Sequence, residues 1–72
     1  MTQTFTEIVA ANVRMELARR RLGQVQVAYA LGLSQAAVSR RLKGSVPLDV
    51  NELSVIADLL GLTPADLLPA AA

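Results

Sequence analysis

"QVQVAYALGLSQAAVSRRLKG", Gln24 to Gly44, is the stretch on which the rest of the chain depends. Two apolar patterns stand on either side of Leu31-Gly32-Leu33. In the first, Val27, Ala28 and Leu31 recur at helical spacing, which predicts a helix over 24–31 with Val25 and Tyr29 flanking the core. Gly32 stops it, because glycine takes the left-handed backbone that ends helices at no steric cost. Ser34 is a good N-cap, and a second helix is expected over 35–43, closed by Gly44. At 100° per residue, Gln35, Ala36, Ser39, Arg40 and Lys43 share an arc of about 140°, while Ala37, Val38 and Leu42 lie opposite. One face is apolar. The other carries an amide, a methyl, a hydroxyl, a guanidinium and an ammonium, with nothing bulky in its middle.

That outer face matches the edges of base pairs in a DNA major groove. Glutamine pairs bidentately with adenine, arginine with guanine, and a small methyl rests on the thymine methyl. Ala36 and Ser39 keep the surface low, so that Gln35 and Arg40 can reach. The plain alternative is a solvated helix face on which alanine is simply a good helix former.

The flanks continue in the same style. "TFTE" puts Glu7 three residues after Thr4, a capping box, and Val9, Val13 and Leu17 then recur every four residues, predicting a helix over 4–22. Asp49 and Glu52 form a second box ahead of Val50, Leu53, Ile56, Ala57 and Leu60, so a helix is expected over 49–60, closed by Gly61. "TPADLL" places Thr63 at N-cap and Pro64 at the first helical position, a fifth helix over 64–68. The tail 69–72 is expected to fray. Nothing alternates with a period of two, so the expected fold is all-α: one compact five-helix domain over 1–72.

Gln24, Ala28, the Leu31-Gly32-Leu33 turn, Ser34, Val38 and Gly44 resemble the helix-turn-helix of the lambda-repressor-like family, which includes phage repressors and Cro proteins. "PLDVNELSVIADLLGLTPADLL" resembles that family's last two helices, so the likeness runs from about Val9 to Leu68. It implies that Gln35, Ala36, Ser39 and Arg40 read bases. It implies that Gln24 contacts a phosphate and braces Gln35, and that Lys43, Ser34 and Ser45 contact the sugar-phosphate backbone. Arg41 departs from the pattern, since the family usually has an aliphatic residue there. A buried unpaired guanidinium is costly, so Arg41 is expected to snorkel out to a phosphate, the alternative being a pair with Glu52 or Asp58.

Composition narrows the function. The 72 residues contain no Cys and no His, and 53% are apolar. Disulfides, thiolate metal sites and the commonest general base are therefore excluded, and no cofactor, metal, catalytic group or small-molecule ligand is expected. No apolar run approaches the ~20 residues that span a bilayer, and "MTQTFTEI" is not a signal peptide, so a cytoplasmic protein is expected. The net charge is only +1, yet Arg14 to Lys43 holds all seven bases and one acid, Glu16, a local charge of +6. Such a dipole favours a polyanion. In the run Arg19, Arg20, Arg21 two readings stand side by side. One is a complement to the helix dipole; the other is a phosphate contact, with Arg21 as the candidate.

The expectation is a sequence-specific double-stranded DNA-binding regulator, a small phage or prophage Cro-like protein or repressor acting by operator occlusion. One recognition helix reads too few base pairs alone, so a homodimer on DNA is expected, with Leu62–Leu68 as either its interface or the closure of the core. The rivals are an antitoxin-type protein-binding module that also represses its own operon, and an architectural or excision factor. The first would need a partner-binding tail, and the second apolar wedges or a β-wing.

Overall fold

A computed structural model of the chain, describing residues 3–69, contains four α-helices and a closing 3-10 turn, with no strand among those residues. The helices are α1 (Phe5–Arg19), α2 (Gln24–Leu31), α3 (Gln35–Leu42) and α4 (Val50–Leu60), and the 3-10 turn covers Pro64–Leu67. The expected fifth helix is thereby corrected. Pro64 sets the backbone of its first residue, but Pro69 follows Leu68, which takes extended backbone with ψ 157°. A residue before proline clashes in the α region, and the four residues left make one tight turn. Of the tail 69–72, all but Pro69 lies outside the described residues.

The helix starts follow the capping signals. Thr4 Oγ1 accepts from the Glu7 amide at 3.1 Å while Glu7 Oε1 accepts from the Thr4 amide at 2.9 Å. Accepting that amide holds the Glu7 carboxyl below its ordinary pKa. Asp49 and Glu52 close the same reciprocal pair at α4, at 2.7 and 3.1 Å. Each satisfies two amide groups that a helix start leaves without partners.

All four helices end alike. The amide five residues on bonds back across a left-handed residue: Leu22 to Leu17 O, Leu33 to Ala28 O, Ser45 to Arg40 O and Leu62 to Ala57 O, at 2.8–3.1 Å. The left-handed residue is Gly32, Gly44 or Gly61 in three cases, and Arg21, at φ 56°, after α1. This ends α1 at Arg19 rather than at the expected Leu22. The turn folds Leu22 back against the core beside Leu17, the apolar contact that usually accompanies this motif.

The core lies between α1, α2, α4 and the 3-10 turn, with Val38 and Leu42 of α3 closing it from one side. Val13, Val27, Val38, Ile56 and Leu67 are fully buried. Leu67 and half-buried Leu62 therefore close the core, and of the three leucines of that segment Leu68 alone is exposed. Asn12 Nδ2 donates to Leu67 O at 3.0 Å and ties the turn to α1. Three expected core or flanking residues are exposed instead: Val25, Tyr29 at 91% exposure, and Val50. On α2, positions 25 and 29 fall opposite the inner arc of Val27, Ala28 and half-buried Leu31, and Val50 is the exposed first residue of α4.

Candidate nucleic-acid interface

α3 is built to show one face and bury the other. Ser34 Oγ accepts from the Ala37 amide at 3.1 Å and fixes the start, while Val38 and Leu42 anchor the inner side. Gln35, Ala36, Arg40 and Lys43 are exposed and Ser39 is half-exposed. The predicted base-reading residues thus share one open surface. Among the predicted phosphate contacts, Gln24, Arg21, Ser34 and Ser45 are also exposed. The bracing bond from Gln24 to Gln35 is not formed. At the start of α2 it is Gln26 that reaches back, its Oε1 accepting from the Gly23 amide at 2.8 Å.

The end of α3 is held by contacts that sequence periodicity does not reveal. Arg14 of α1 donates from Nη1 to Leu42 O, one of the carbonyls a helix end leaves unpaired. Gly44, at φ 85°, sits so close to α1 that an added Cβ would lie 3.2 Å from Glu7 Cα. Arg41 does not snorkel outward, which corrects the first expectation for it. Its Nε donates to both Glu52 oxygens at 3.1 Å, and its Nη1 donates to Ala37 O at 3.0 Å. The two side chains are 19% and 16% exposed, so the apolar surroundings that make a lone guanidinium costly are met by pairing it. Glu52 is also the residue that caps α4.

The arginine run divides as well. Arg19 and Arg20 both reach Glu16, at 3.3 and 2.8 Å, and Arg20 also donates to Glu16 O. The Arg20 hydrogen bond first, and then the two positive charges, hold the Glu16 carboxyl below its ordinary pKa. Four cations, Arg14, Arg21, Arg40 and Lys43, have no ion-pair partner among the described residues, and of these only Arg14 is held by a backbone carbonyl. Among those residues no group of His, Cys, Asp or Glu is arranged to hold a metal, no ligand-sized cavity opens, and no helix is long and apolar enough to cross a membrane.

Comparison with known proteins agrees with this geometry. The BetR domain family matches residues 4–72. Among solved structures, the clp gene regulator ClgR from C. glutamicum superimposes with a TM-score of 0.83 at 21% identity, over 92% of this chain and 86% of that one. The restriction-modification controller protein C.AhdI from Aeromonas hydrophila gives 0.77 at 19% identity, over 86% and 94%. The DNA-binding domain of BldD gives 0.76 at 21% identity, over 96% and 100%. Identities this low carry the fold and nothing finer; none of the three is described as an enzyme. No curated protein sequence matches significantly.

Proposed function

Because this chain belongs to the BetR domain family and has the lambda-repressor-like helix-turn-helix fold, we propose that it is a sequence-specific double-stranded DNA-binding transcriptional regulator. It acts in the cytoplasm by occluding an operator, in the manner of a small phage or prophage Cro-like protein or repressor. One observation carries the reading: α3 buries Val38 and Leu42 and leaves Gln35, Ala36 and Arg40 as an open, low surface flanked by unpaired cations. The relatives in fold support it, being described as a gene regulator, a controller protein and a DNA-binding domain.

In this reading α3 lies in the major groove. Gln35 and Arg40 hydrogen-bond to base edges, each contributing about 1–3 kcal/mol of discrimination, with Ala36 and Ser39 against neighbouring base edges. Lys43 at the end of α3, Arg21 and Gln24 at the α1–α2 corner, and Ser34 and Ser45 at the two ends of α3 contact phosphates. Those contacts fix register without reading sequence. A homodimer places one such helix in each of two half-sites.

Selection of duplexes from a randomised pool tests the roles. The wild-type chain is expected to enrich a two-fold symmetric sequence. Arg40→Ala relaxes preference at one base pair per half-site, and Lys43→Ala weakens all sequences alike. Equal losses on every sequence from both variants would contradict the assignment.

A further inference from the structure

We propose that Arg41 is a positioning residue: its pair with Glu52 clamps the recognition helix to α4, and the protein meets DNA with Arg21, Arg40 and Lys43 rather than with all seven of its bases. The inference rests on the DNA-binding reading and deepens it, because it says which charges act on the ligand and which act on the helix that carries them.

The seven bases fall into two groups in the structure. Four are engaged within the fold. Arg19 and Arg20 share Glu16, Arg14 holds the Leu42 carbonyl, and Arg41 holds Glu52 and the Ala37 carbonyl. The other three have no acid beside them among the described residues, and all three are exposed. Arg41 follows Arg40 directly in the chain, so a 100° turn of the helix separates a guanidinium on the open face from one facing α4.

The Arg41 clamp is directional. Nε meets both carboxylate oxygens while Nη1 returns to a carbonyl on its own helix. The guanidinium is thus fixed at both ends, as its rigid fork allows and an ammonium would not. Glu52 is itself fixed, since Oε1 also accepts from the Asp49 amide at 3.1 Å. Rotation of α3 about its axis would break this set, and rotation is the motion that would carry Gln35 and Arg40 off their base edges. At the same C-terminal end of the helix, one residue on from Arg41, the Arg14 bond to the Leu42 carbonyl opposes sliding along the axis.

The salt dependence of binding separates a phosphate contact from a clamp, because only charges that neutralise phosphates release counterions. The probe is a fluorescein-labelled duplex enriched by selection, with a scrambled duplex as control. For wild type, log K against log [NaCl] should fall with a slope of about −1.8 per protomer, set by the two charged phosphate contacts Arg21 and Lys43, rather than about −6 for all seven bases. Lys43→Ala and Arg21→Ala should each flatten it by about 0.9. Arg41→Met and Glu52→Gln should leave the slope unchanged and lower discrimination between the two duplexes by about tenfold.

A slope that flattens in Arg41→Met as it does in Lys43→Ala would overturn the proposal. So would a Glu52→Gln protein that binds more tightly with discrimination intact, the result expected if losing an acid near DNA were all that mattered. Glu52→Gln keeps the shape of the site and carries the test if Arg41→Met does not fold. A urea-denaturation cycle over Arg41→Met, Glu52→Gln and the double variant checks the pair without DNA, and additive effects there would remove the clamp. A wild-type chain that enriches no duplex while the cycle shows coupling would defeat the DNA-binding reading and leave the clamp standing.

Discussion

Arg21 holds φ at 56° where the other three helix ends place a glycine. A side chain in this region crowds its own carbonyl, at a cost of about 1–2 kcal/mol. Glycine would remove that strain but would lose about 0.4–1 kcal/mol through the greater freedom of the unfolded chain. Arg21→Gly is therefore expected to stabilise the fold by up to about 1 kcal/mol, read from urea denaturation followed by far-ultraviolet circular dichroism. The same variant should bind DNA more weakly, because it removes one of three free cations. A stability gain together with an affinity loss is the signature of a strained residue kept for its ligand. Unchanged affinity would take Arg21 out of the contact set, and lower stability would mean that the side chain supports the corner between α1 and α2.

At the scale of elements, the helix ends differ in what surrounds their glycines. Around Gly32 and Gly61 nothing lies within 4 Å of an added Cβ, whereas at Gly44 the Cβ would meet the Glu7 backbone and side chain at 3.2 Å. Alanine at 32 or 61 should cost about 1–2 kcal/mol from backbone strain alone. Gly44→Ala should cost more, because α1 and α3 must also separate, and it should weaken DNA binding beyond what the lost stability explains. Equal destabilisation at all three sites, measured by urea denaturation, would show that the close approach does not matter. These ends also mark how far the sequence could be read. Thr4, Ser34, Asp49 and Thr63 stand at the four expected starts other than that of α2, and Gly32, Gly44 and Gly61 stand at three stops, because caps and left-handed residues are local requirements. The stop of α1 was hidden by three arginines, which are good helix formers and give no signal to end. The outer face of α3 was legible from its periodicity, but its clamps were not. Arg14 and Leu42 are 28 residues apart and Arg41 and Glu52 are 11 apart, and a single sequence gives no indication of which residues meet across such intervals.

The described residues measure 33 × 24 × 22 Å along their principal axes. Half-sites one DNA turn apart have centres about 34–36 Å apart, so two copies with their long axes along the duplex are long enough to meet. Binding to a two-half-site duplex should therefore be cooperative at one spacing. Inserting about five base pairs turns one half-site to the opposite side of the helix and should abolish the cooperativity, as seen by gel shift at increasing protein concentration. Unchanged affinity after insertion would mean that the copies bind independently. Size also limits what can be seen optically. Tyr29 is the single tyrosine, there is no tryptophan, and its ring is 91% exposed in the native state. Denaturation changes its surroundings little, so intrinsic fluorescence will be nearly blind to unfolding. The same ring becomes a quiet background against which any molecule that settles on the outer side of α2 announces itself by a change in emission.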